Sequence, residues 1–99
     1  MILSEIINKS GIKFTDIILE IGPGTGNLTM LLLEATKKVI AIELDPRLVA
    51  QLTKRVGISP YQNKLQLIQG DVLNNNYHFL IYVLQIFHIK FLLQLFLNY

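Results

Sequence analysis

The chain has no cysteine. A disulfide framework and a thiolate zinc site are therefore excluded. It also lacks an excess of either charge. Nine basic against seven acidic side chains give a net charge of +2, which offers no compositional argument for a nucleic-acid partner. The start, Met1 to Lys9, has neither the basic residues nor the long apolar core of a secretory signal, so a cytosolic or nuclear location is the default expectation. Ninety-nine residues leave room for one small domain, and no segment repeats another. The most uneven absence comes late. From Asn74 to Tyr99 there is no Gly, Ala, Pro, Ser, Thr, Asp, Glu or Arg. Nothing there punctuates a turn, although the hydrophobic content of the whole chain is 52%.

What is present centres on Gly22-Pro23-Gly24-Thr25-Gly26. An apolar run, Asp16–Ile21, precedes it, and Asn27–Thr36 follows with helical composition. This is a strand, a glycine turn and a helix. Glycine permits positive φ and close approach of another molecule to the backbone. The helix start behind it presents free N–H groups and a positive dipole end. The spacing is G-x-G-x-G, not the G-x-G-x-x-G of dinucleotide folds, so a tight turn with nothing bound remains open.

Taken in order, residues 2–10 predict an amphipathic helix ended by Ser10-Gly11. Strand one is 16–21, apolar on both faces as in a covered parallel sheet. Lys38–Glu43 is strand two. Asp45 at N-cap and Pro46 at N1 start a helix to about Val56, with Leu48, Val49 and Leu52 inward and Arg47, Lys54 and Arg55 outward. Residues 57–63 form a loop, and Lys64–Gln69 alternates as strand three. Helices and strands that alternate with short connections predict a parallel sheet with right-handed crossovers. Glu20, Glu43 and Asp71 then stand at or just after the carboxyl ends of three strands, the edge where open α/β sheets bind ligands. A carboxylate after strand two can accept from both hydroxyls of a ribose. Gly70-Asp71 could receive a purine amino group. Each acid alone is equally well a solvated strand end or a helix cap.

Ile18-Leu-Glu-Ile-Gly-Pro-Gly-Thr-Gly-Asn-Leu-Thr29, Glu43-Leu-Asp-Pro-Arg-Leu48 and Gly70-Asp-Val-Leu73 resemble the rRNA adenine-N6,N6 dimethyltransferases, class I methyltransferases of the KsgA/Dim type. Leu44–Ala50 and Lys54-Arg55-Val56 are most similar to the eukaryotic branch. The resemblance spans roughly residues 1–73. It implies a partial Rossmann-like α/β domain, strand order 3-2-1, with helices on both faces. It implies S-adenosylmethionine as cofactor, no metal, and small-subunit rRNA in a pre-ribosomal particle as partner. A eukaryotic source would place it in the nucleus or nucleolus. The cofactor-contact set implied is Glu20, Gly22, Gly24, Gly26, Asn27, Glu43, Leu44, Asp71 and Val72. In that set the glycines pass the methionine part, Glu20 orients its end, Glu43 holds the ribose, and Asp71 with the Val72 backbone holds the adenine. The family's Gln-His-[Phe/Ile]-Leu segment would precede residue 1. No residue matches its catalytic Asn-[Leu/Ile]-Pro-Tyr after strand four, where the Asn positions the target amino group and the Tyr stacks on the base. Its C-terminal helical RNA-binding part has no counterpart here.

Residues 74–99 admit three interpretations. As a membrane anchor of a non-catalytic binding protein they are long enough, but Gln85, His88, Lys90 and Gln94 would sit in mid-span. As a divergent buried strand and helix they lack turn residues. The third is a shifted reading frame. Allowed codons for Leu80 to Gln94, read from each third base, give Asp-Ile-Cys-Ile-Ala-Asn-Ile-Pro-Tyr-Gln-Ile-Ser-Ser-Pro. That closely resembles the family's strand four and catalytic motif, and it is the interpretation the residues favour. It predicts that strand one lacks its native partner in the visible frame and has an open apolar edge, which the tail can cover only out of native register.

Overall fold

Alternation along strand one sets up the whole molecule. In a computed structural model, which describes residues 2–71 and 77–93, β1 (Ile17–Ile21) sends Ile18 and Glu20 to one face and Leu19 and Ile21 to the other. The other elements are α1 (Ile2–Lys9), α2 (Asn27–Ala35), β2 (Lys38–Glu43), α3 (Pro46–Gly57), a 3₁₀ turn (Gln62–Lys64), β3 (Leu65–Gln69), α4 (Tyr77–Ile86) and β4 (Lys90–Leu93). The strands are parallel in the order β3-β2-β1-β4, with Ile18 abreast of Val39 and of Lys90, and Val39 abreast of Leu65.

On the first face Ile18, Val39 and Ala41 pack with Leu28, Leu32 and Leu33 of α2, Leu52 and Val56 of α3, and Ile7 of α1. On the second, Leu19 and Ile21 pack with Leu84, and Ile40, Ile42, Leu80 and Ile81 gather round them. Helices therefore cover both faces, as the sequence predicts. Asp45 caps α3 by accepting from the Arg47 amide at 2.9 Å, with Pro46 at the first position. Several boundaries differ from expectation by one residue, and two of the differences have a visible cause. α1 ends at Lys9, where the Ser10 hydroxyl bonds back to the Ile7 carbonyl. Lys64 belongs to the 3₁₀ turn and not to β3, because its ammonium is drawn to the Leu33 carbonyl near the end of α2, with the rings of Phe14 and Tyr61 5.0 and 5.5 Å away.

The larger correction concerns the end of the chain. The edge of β1 is not unpaired. β4 lies against it from Ile18 to Ile21, so the sheet has a fourth strand beyond the expected 3-2-1. The turn that lack of glycine seemed to forbid is made by His88, at φ 54°, while the Ile89 amide bonds back to the Leu84 carbonyl at 3.0 Å. That is the helix-ending geometry glycine commonly supplies. Lys90 then ties β4 to the start of β1. Its ammonium bonds the Gly11 carbonyl and pairs with Asp16 at 2.8 Å, holding that carboxyl below its usual range. Among the described residues no helix is long and apolar enough to cross a membrane.

Candidate functional site

The carboxyl edge of the sheet is built on three left-handed glycines. Gly22, Gly24 and Gly26 have φ of 69°, 60° and 94°. Gly22 leaves β1 while still bonded to β2, through its amide to the Ile42 carbonyl at 2.9 Å. Gly26 closes the turn back on the Pro23 carbonyl and caps α2, accepting from the Met30 amide. A Cβ on Gly26 would run into Leu52 of α3, so the turn also lies flat against that helix. A Cβ on Gly24 would meet nothing within 4 Å, which leaves open space over the turn's outer side.

Glu43, at the end of β2, joins this turn to the next loop. Its Oε1 accepts from the Gly24 amide at 3.1 Å and its Oε2 from the Asp45 amide at 2.9 Å. Its backbone carbonyl accepts from the Gly70 amide at 3.0 Å, which keeps the Gly70-Asp71 corner beside it. Leu44 is 64% exposed and Asp71 is exposed, both next to this junction. The structure thus brings together the glycine turn, Glu43, Leu44 and Asp71. Val72 lies outside the described residues.

Glu20 occupies a different position from the others. It is 0% exposed, under the turn, and accepts from the Thr29 hydroxyl of α2 at 2.5 Å. Burial is the main cause that pushes its carboxyl up to about 7, with the Glu43 charge adding to the rise and the Thr29 bond opposing it. In this structure its side chain is sealed between β1 and α2. Asn27 is exposed, and its Oδ1 accepts from Arg55 Nη1 at 3.0 Å. Thr29, Leu52 and Arg55 were not among the expected site residues. Thr29 could have been found from its place one helical turn into α2; Leu52 and Arg55 lie 25 or more positions away from the turn, and no local signal marks them. Among the described residues no group of three His, Cys, Asp or Glu could hold a metal ion.

A parallel sheet of order 3-2-1-4, helices on both faces and a glycine turn after β1 define the Rossmann-like fold of the S-adenosylmethionine-dependent methyltransferases. Within that class, the model of the ribosomal RNA adenine dimethylase family matches residues 1–95, and the chain belongs to this family. An Arabidopsis thaliana protein named ribosomal RNA small subunit methyltransferase is 59% identical over 73 residues, 74% of this chain and 21% of the relative. A crystal structure of a Plasmodium falciparum dimethyladenosine transferase superposes with a TM-score of 0.68 at 46% identity, covering 75% of this chain and 26% of that one. The glycopeptide N-methyltransferase MtfA complexed with S-adenosyl-L-methionine gives 0.60 at 29% identity, covering 71% and 30%. The chain spans about a quarter of the length of the curated relatives it matches.

Proposed function

We propose that the chain is the cofactor-binding part of an rRNA adenine-N6,N6 dimethyltransferase. Its cofactor is S-adenosylmethionine, and its methyl acceptors are adenines of small-subunit rRNA in a pre-ribosomal particle, in the nucleus or nucleolus of a eukaryotic cell. The observation that carries this is the Glu43 carboxylate, which ties the glycine turn to the next loop. Each of its oxygens accepts one amide and keeps lone-pair capacity for a ribose hydroxyl. The residues present fit the cofactor. Open space lies over Gly24, Leu44 offers an exposed apolar surface for a flat ring, and Asp71 can accept from an adenine amino group. When bound, the cofactor supplies a methyl group on a sulfonium; this chain's residues bind and orient it.

Titration of the chain with S-adenosylmethionine by calorimetry tests the binding. We expect weak saturable binding that Asp71→Ala lowers by about tenfold, the value of one charged hydrogen bond of ~1.5 kcal/mol. An absence of binding, or binding indifferent to Asp71→Ala, would sink the assignment.

Transfer itself needs the target nitrogen in line with the methyl group, and such positioning can be worth ~7–11 kcal/mol. The sequence contains no Asn-[Leu/Ile]-Pro-Tyr to supply it. We therefore propose that the chain transfers no methyl group and that residues 74–99 are read out of frame. The shifted frame would place a strand at codons Leu80 to Gln85, where the visible frame forms α4, so the two frames encode different structures there. Sequencing gene and transcript over codons 70–99 should show the Asn-Ile-Pro-Tyr frame. Labelled cofactor and pre-ribosomal small subunits should show no adenine methylation by the 99-residue chain. A frame-restored chain, extended at both ends with the family's remaining segments, should label them. Methylation by the chain as it stands, or a gene lacking the hidden motif, would refute the proposal.

A further inference from the structure

The contact between α3 and the glycine turn belongs to none of the roles above. Arg55, in the last turn of α3, gives both hydrogens of Nη1 to the turn: one to the Thr25 carbonyl at 3.0 Å and one to Asn27 Oδ1 at 3.0 Å. The same nitrogen lies 3.8 Å from where a Cβ on Gly26 would be. Leu52, three residues earlier on the same helix, closes on Gly26 from beside it. Three successive turn residues, 25 to 27, are thus held by one turn of α3.

Two physical points make this more than packing. First, a guanidinium at the start of α2 faces the positive end of that helix, an unfavourable place for a cation. Its bonds to the turn must offset that repulsion, and the C-terminal end of α3, where the same charge is favourable, contributes. Secondly, Gly26 at the N-cap brings no side chain, so no side-chain cap fixes the start of α2, and the turn's own closure is the single backbone bond from the Gly26 amide to the Pro23 carbonyl. Three left-handed glycines in five residues have many conformations open to them. A clamp from a distant helix removes that freedom before a ligand arrives, which cuts the ordering cost of binding.

We propose that Arg55 is a positioning residue: it acts through Thr25 and Asn27 to hold the glycine turn in its ligand-ready shape, and Asn27 contributes to the site as Arg55's acceptor. The ligand side of this rests on the cofactor assignment above; the turn side does not.

The test is ¹⁵N NMR on the 99-residue chain, its Arg55→Ala and Arg55→Lys variants, with amide hydrogen exchange and titration with S-adenosylhomocysteine on each. Losing bonds of this kind should speed exchange of the Gly24 to Leu28 amides by roughly two- to tenfold in Arg55→Ala and leave β1 and β2 amides unchanged. The dissociation constant should rise by a similar factor, and Arg55→Lys, which can restore one bond, should fall between. Unchanged turn exchange overturns the positioning role. Faster exchange spread equally over the β1 and β2 amides also overturns it, since Arg55 would then be merely structural. A loosened turn with undiminished affinity overturns its link to the ligand. If the unsubstituted chain binds no ligand while Arg55→Ala loosens the turn, the cofactor assignment fails and the clamp stands.

Discussion

The two faces of the sheet are covered by very different helices. On the first face α2 and α3 bury Leu28, Leu32, Leu33 and Leu52 completely, and α3 keeps Arg47 and Lys54 in water. On the second, α4 is the more apolar helix yet buries less. Leu84 is covered, while Phe79, Tyr82 and Ile86 remain exposed, Phe79 by 68%. Hydrophobic content does not make a core. A helix apolar all round is buried only where neighbours meet it on every side, and the described residues pack α4 against the sheet on one side. On the second face α4 covers Leu84 alone of these side chains, although it is more apolar than α2.

Replacing leucine with alanine on each face tests this difference most strongly. Leu32→Ala should cost ~2–5 kcal/mol, a large part of the stability of a domain this size, whereas Leu84→Ala should cost less because its surroundings are looser. Urea unfolding of both variants measures it, and equal losses would erase the distinction between the faces.

The first face also holds the buried acid, and its effect depends on pH. The folded chain keeps a proton on Glu20 up to about pH 7, whereas the unfolded chain loses it near the ordinary value of 4.5. Stability contributed by this group is therefore complete below pH 4.5 and lost as pH rises to about 7, a change of no more than ~3 kcal/mol. Thermal melts at pH 5 and pH 8 should show that slope in the unsubstituted chain and its loss in Glu20→Gln. Parallel pH profiles for the two would disprove it.

Gly26→Ala should cost ~1–3 kcal/mol, from a left-handed φ and the clash with Leu52 together. Gly57→Ala, in open space at the end of α3, is the control that should lose nothing. The smallest effect belongs to the outer side of α4. Tyr82→Ser should change unfolding free energy by less than ~0.5 kcal/mol. It should also reduce self-association in analytical ultracentrifugation, because an exposed apolar patch is removed. A large destabilisation would mean that α4 packs by its aromatic side after all.

Much of this was legible in the residues. Asp45-Pro46, the period of α3 and the alternation of β3 are local signals, and the elements up to β3 form within a residue or two of their expected bounds. The end of the chain is not legible in the same way, for a physical reason. It has no glycine to mark a turn, but a single His88 in the left-handed region is enough, and pairing with the open edge of β1 supplies what local propensity lacks.

The sequence by itself determined the alternating elements, the parallel sheet, the glycine turn and the acids that mark its carboxyl edge. All of these follow from spacing within about ten residues. Only the tertiary structure decided what those groups do. Glu20 is the last residue but one of β1 and Glu43 the last of β2, yet one is sealed under α2 beside Thr29 and the other reaches two loop amides. Arg55 reads as a solvated helix residue until α3 folds across the turn and brings it to Thr25, thirty positions away. Burial and partner choice depend on which elements meet, and that is settled by packing over the whole sheet, which no short stretch of sequence contains.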